Sequence, residues 1–111
     1  MLDFRLENKS HNLKIKSQDF ARRIVTHFGT DDVFLIAEKA GVKIVYERWF
    51  PVTIGEYDRK NKLICVNTNA KETRENIIAH ELGHFFAFEL NLDEAEEESF
   101  CHEFARNLSK A

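Results

Sequence analysis

Residues 76–86, NIIAHELGHFF, combine an apolar run with two histidines four positions apart. The run predicts a helix packed in a protein core, where His80 and His84 lie on one face about 5–6 Å apart at Cβ. Two buried imidazoles and a buried carboxylate without partners would each cost on the order of 1–3 kcal/mol. A metal ion held by the imidazoles removes that cost. The pattern therefore favours a metal site over a purely structural helix.

Glu81 follows the first histidine and is rotated from it by about 100° around the helix axis. From there its carboxylate can lean over an open coordination position without being a ligand. This is the place for a general base that activates metal-bound water. Zinc is the expected ion, because imidazole nitrogen and carboxylate oxygen suit it, and manganese or iron are the alternatives.

A catalytic zinc site needs a third protein ligand, with the fourth position left to water. The acidic segment EAEEESFCHEFARNL, residues 94–108, predicts a helix that could supply it. Glu98 lies one turn inside this helix, shares a stripe with His102 and adjoins an apolar stripe. We therefore expect Glu98 to be the third ligand, with Glu94 and Glu97 as its rivals.

The segments before the motif predict an α+β fold. Residues 17–29 and 30–41 have the apolar spacing and the terminal glycines of two helices. Residues 42–50 alternate and are rich in β-branched and aromatic side chains, which favours a strand. Residues 53–58 and 62–67 flank a short polar turn and predict a hairpin. We expect a small three-stranded antiparallel or mixed sheet between two N-terminal helices and the two helices of the metal site.

The composition, 111 residues with 43% hydrophobic and 32% charged, predicts a single domain over the whole chain. Residues 1–16 are expected to be a loosely held arm. They lack the apolar centre of a secretory signal, and no run of about 18 apolar residues predicts a membrane span. Cys65 and Cys101 are too few for a disulfide framework. We therefore expect a cytoplasmic protein without membrane contact.

The charge pattern gives little sign of a nucleic-acid partner. The net charge is −3, although residues 1–23 hold six basic against three acidic side chains. So few interspersed charges are a weak footprint, and no helix-turn-helix pattern accompanies them. Direct binding to nucleic acid is not expected.

Two stretches, HELGH at residues 80–84 and ESFCHEFA at residues 98–105, together resemble the motifs of the ImmA/IrrE-type zinc metallopeptidases. That family has HExxH, followed on the next helix by E-x-x-A-x-x-F-A. The second motif is represented here by Glu98, Cys101, Phe104 and Ala105. The order of helices and strands over residues 17–108 is also similar to that of the family.

The resemblance implies zinc ligands at His80, His84 and Glu98, with Glu81 as the catalytic base. It also implies an endopeptidase whose substrate is a helix-turn-helix repressor of a phage, a mobile element or a stress locus. The competing hypothesis is a zinc-containing interaction module, similar to toxin–antitoxin proteins, that does not cut its partner. The intact Glu81 argues against this module, because a non-catalytic site has no use for a base.

The chain departs from the family where Cys101 and His102 replace the common Ala-Asn pair. We expect Cys101 to be a small buried residue. His102 could orient Glu98, donate a hydrogen bond to the oxyanion, or bind the metal. Tyr46 and Tyr57 are the other candidate oxyanion donors. An extended substrate segment is expected to pair with an edge of the sheet.

Overall fold

The structure, a computed structural model, describes residues 13–49 and 53–108, with side chains from Ser17 onward. These residues form an α+β fold in the predicted order, helix–helix–strands–helix–helix. The helices are α1 (Leu13–Phe28), α2 (Val33–Ala40), α3 (Arg74–Ala87) and α4 (Glu94–Leu108), with a 3-10 turn (Phe88–Leu90) after α3. The predicted fold class is confirmed. No helix within the described ranges is long and apolar enough to cross a membrane.

Helix α1 begins at Leu13, four residues before its predicted start. The last four residues of the expected arm are therefore the first turn of this helix. The rest of the arm, residues 1–12, lies outside the described part of the chain.

The sheet contains β1 (Lys43–Glu47), β2 (Gly55–Asp58) and β3 (Leu63–Asn67). β3 is central, parallel to β1 and antiparallel to β2, so the sheet is mixed. β2 and β3 form the predicted hairpin. β1 ends at Glu47 and is shorter than the predicted strand, whose last residue, Phe50, lies outside the described residues.

Helix α3 lies between the sheet and α4, and its sequence explains why. Thr73 caps its first turn by accepting a hydrogen bond from the Asn76 N–H at 3.2 Å. Apolar residues on its inner faces, among them Ile77, Ile78 and Leu82, are fully buried. The aromatic rings of α1, α3 and α4 pack around one another with centroids 5.5–6.3 Å apart at Phe20, Phe86, Phe100 and Phe104.

Gly83 sets how closely α4 approaches α3. A Cβ atom at this position would lie 3.0 Å from the Cα, Cβ and Sγ atoms of Cys101. Cys101 is fully buried against it, as the sequence predicts. Because glycine has no side chain and the cysteine side chain is small, the two helix backbones pack closely here. The first turns of α4 therefore come within reach of the histidines of α3.

The start of α4 is fixed by a reciprocal cap. The Asp93 carboxylate accepts from the Glu96 N–H at 2.8 Å, and the Glu96 carboxylate accepts from the Asp93 N–H at 3.1 Å. Asn91, with φ 54°, turns the chain between the two helices. This cap determines where Glu97 and Glu98 lie along the α3 surface.

Candidate metal centre

His80, His84 and Glu98 converge where the first turns of α4 lie against α3. Glu98 Oε1 is 2.7 Å from His80 Nε2, and Glu98 Oε2 is 3.1 Å from His84 Nε2. One ligand atom from each of the three residues lies within 4.8 Å of the others. The side chain of Glu98 is 61% exposed, whereas each imidazole is 19% exposed. Two nitrogens and a carboxylate, open to solvent on one side, could hold one metal ion.

Glu97 contacts the other ring nitrogen of His84. Its Oε2 atom is 2.6 Å from His84 Nδ1. With the proton on Nδ1, the Nε2 lone pair is free to bind a metal, and metal-binding histidines in proteins are usually held by a carboxylate in this way. The donor set and its support therefore fit a zinc ion. Of the three candidate carboxylates, the structure brings Glu98 against both imidazoles and brings Glu97 behind one of them, while Glu94 is an exposed residue at the start of α4.

Arg59, in the turn between β2 and β3, lies behind the same histidine. Its Nη2 atom is 3.5 Å from Glu97 Oε2 and donates to the His84 carbonyl oxygen at 3.5 Å. The guanidinium also stacks over the Phe88 ring, 4.8 Å from its centroid. Arg59 was not predicted from the sequence, because its place depends on how the hairpin packs on α3 and no local pattern encodes that.

Glu81 is only 5% exposed and faces the hairpin. It shares a cleft of about 490 Å³ with His84, Glu97, Tyr57 and further hairpin residues. Burial raises the pKa of Glu81 from 4.5 to about 7. His84 lowers this pKa, while the carboxylates of Glu98 and Glu56 raise it. A carboxyl group that titrates near neutral pH is suited to taking and giving a proton.

Gly55, the first residue of β2, lets the strand approach this carboxyl group. A Cβ atom there would lie 3.4 Å from Glu81 Oε2 and only 2.6 Å from Ile77 Cγ2. Any larger residue would force either the Ile77 side chain or strand β2 to shift. The strand edge therefore passes directly beside the candidate base.

The three candidate oxyanion donors occupy different places. Tyr57 lines the cleft of Glu81 and His84, and burial raises its pKa above 10, so that its hydroxyl stays protonated and can donate. His102 is exposed and lines a second cleft, of about 330 Å³, beside His80. Tyr46 instead packs against the Arg74 guanidinium, 4.8 Å from its ring centroid. Tyr57 thus lies on the His84 side of the candidate metal site, and His102 lies on its His80 side.

A sequence model described as the IrrE N-terminal-like domain of the Peptidase_M78 family matches residues 37–110. The chain belongs to this family. The match covers well over half of the chain and includes the sheet, α3 and α4 with all of the residues that converge at the site. A search of curated proteins finds no significant match.

Membership of the IrrE-like family confirms the resemblance seen in the sequence. The family is one of peptidases, and the group of His80, His84 and Glu98 is compatible with a metal-dependent member. The chain is therefore a domain of metallopeptidase type with a candidate metal site between α3 and α4.

Proposed function

We propose that this chain is a zinc-dependent endopeptidase that cuts a peptide bond in a regulatory protein. His80, His84 and Glu98 hold the zinc ion, and Glu97 orients His84. The observation that carries the proposal is the convergence of these three ligands beside a buried Glu81 in a chain of a peptidase family. Bound zinc would lower the pKa of a water molecule toward 7 and polarise the scissile carbonyl group.

Glu81 acts as the base in this proposal. It takes a proton from the attacking water and delivers it to the leaving nitrogen, and its pKa of about 7 suits both transfers. Tyr57 and His102 are the proposed donors of a hydrogen bond to the developing oxyanion, because Tyr57 lines a cleft with His84 and His102 lines one with His80. Tyr46 is not proposed for this role, because it packs against Arg74.

The outer edge of β2 is the proposed place for the substrate backbone. The order β1–β3–β2 leaves β2 at an edge of the sheet, and Gly55 brings that strand beside Glu81. An extended segment could pair with this edge and lie across the metal group.

The regulatory target that we propose is a helix-turn-helix repressor of a phage, a mobile element or a stress locus. The support for it is the family to which the chain belongs, through the resemblance of its two motifs. A non-cutting, zinc-containing interaction module is the competing function. The burial of Glu81 with a raised pKa favours the enzyme, because a structural zinc site gains nothing from such a group.

Metal content and cleavage test the proposal together. Wild-type protein should hold one zinc by elemental analysis, and Glu98→Ala should lose it. Glu97→Gln should keep the site with zinc affinity lower by about 10–100-fold, and Glu94→Ala should match wild type. Glu81→Gln should hold zinc and fail to cut a repressor encoded beside the gene. If Glu81→Gln cuts or regulates that repressor as wild type does, the enzyme proposal is wrong.

A further inference from the structure

A groove of about 350 Å³ lies between the start of α2 and the adjoining sides of α3 and α4. Its apolar walls come from Val33, Phe34, Ala79 and Ala105. Phe34 is 36% exposed, although it belongs to a helix whose sequence, VFLIAEKA, is apolar on most of its surface. An exposed apolar groove with a polar rim is typical of a binding surface.

The rim of the groove is acidic. It carries Asp31, Asp32 and Glu75. Asp32 caps α2 by accepting from the N–H groups of Phe34 and Leu35. Asp31 and Glu75 are exposed, and among the side chains described here no lysine or arginine pairs with either. Both carboxylates are therefore available to the cations of a ligand.

The groove adjoins the cleft beside His80. Asn76 and Ala105 line both cavities. Asn76 precedes His80 by four residues, which is about 6 Å along the helix axis. An extended peptide covers this distance with about two residues. A chain that crosses the metal group can therefore continue into the groove.

We propose that this groove is an exosite, a binding site outside the reacting centre, for the protein substrate. It takes an apolar side chain flanked by lysine or arginine, at least about two residues from the bond that is cut. The apolar walls select the anchor, and the carboxylates of Asp31 and Glu75 select its cationic neighbours. The inference rests on the proposed function and deepens it, because it states the class of substrate segment that the enzyme recognises.

Labelled peptides test this site without requiring catalysis. The probes are ten-residue fluorescent peptides with a central leucine between lysines, the same peptide with glutamates, and one with serine for leucine. The binding partner is the 111-residue Glu81→Gln protein loaded with zinc, which is used because it should not cut the peptides. Fluorescence anisotropy measures the Kd of each peptide. The lysine–leucine peptide should bind about tenfold more tightly than either of the others, through ion pairs with the two carboxylates and burial of the leucine side chain.

Paired variants then locate the binding. Asp31→Asn with Glu75→Gln should weaken binding of the lysine–leucine peptide by about fivefold, and Phe34→Ala should reduce the preference for leucine over serine. The control is Glu47→Gln with Glu89→Gln, two exposed carboxylates outside the groove with the same change in net charge. The control should stay within about twofold of the parent, and thermal unfolding checks that all variants fold.

Three results would overturn the exosite. The control pair could weaken binding as much as the groove pair does, in which case the net charge of the protein alone would explain the binding. The groove variants could bind every peptide as the parent does. Wild type could form a dimer in sedimentation that Phe34→Ala abolishes, which would make the groove an interface between copies. These three results test the exosite separately from the proposed function. Wild-type protein could still hydrolyse its substrate in all three cases. Conversely, if wild-type protein proved inactive, the peptide-binding data would still stand.

Discussion

At the scale of single residues, Glu81 links the proposed chemistry to the stability of the fold. Its carboxyl group is buried beside Ile77 and the first residue of β2, where the charged form is poorly solvated. A base in such a place is reactive at neutral pH because the fold opposes its ionisation. The same environment must therefore reduce the stability of the metal-free protein when the group ionises.

Glu81→Gln should stabilise the metal-free protein at pH 8 but much less at pH 5. Folding raises the pKa of Glu81 from 4.5 to about 7. The folded protein therefore has its full stability below about pH 4.5, where Glu81 is neutral in both states, and loses stability as the pH rises through 7 and the buried group ionises. The shift corresponds to on the order of 3 kcal/mol. Urea unfolding with a chelator, at both pH values, measures it. Glu89→Gln, an exposed carboxylate outside this cleft, is the control. An equal benefit of Glu81→Gln at pH 5 and pH 8 would contradict the prediction.

At the scale of elements, the metal group depends on the contact between α3 and α4. The candidate ligands come from both helices, and Gly83 packs directly against Cys101. On α3, Gly83 immediately precedes His84. On α4, Cys101 follows Glu98 by three residues. A change in helix separation there is transmitted to the distance between the imidazoles and the carboxylate.

Gly83→Val should lower both stability and zinc affinity. A Cβ atom already meets Cys101 at 3.0 Å, and the two methyl groups of valine would force the helices apart at a cost of about 1–3 kcal/mol. Unfolding in urea and zinc titration measure the two effects. Ser99→Val, exposed on α4, controls for the cost of a β-branched residue in a helix. If zinc affinity stays at the wild-type value while stability falls, the contact does not position the ligands.

At the scale of the whole molecule, the local parts of the site were predictable and the non-local parts were not. The spacing of His80 and His84 is fixed by the helix itself, and the stripe of α4 selected Glu98, which the structure brings against both imidazoles. Arg59 and the choice of Tyr57 over Tyr46 depend on how the hairpin packs against α3. A single sequence carries no record of that packing. The groove at α2 was missed for the same reason.

Metal removal should destabilise the whole fold, because the proposed ion would join α3 and α4 through ligands from both. A ligand that binds only the folded state stabilises it by about 2.7 kcal/mol at a free concentration a hundred times Kd. For a chain of this size, the thermal midpoint should rise by on the order of 10 °C when zinc is added to chelated protein. Magnesium, which prefers oxygen ligands, should not reproduce the shift. His80→Ala should abolish the zinc response while leaving the cap of α4 unchanged, and a full response in that variant would place the ion elsewhere.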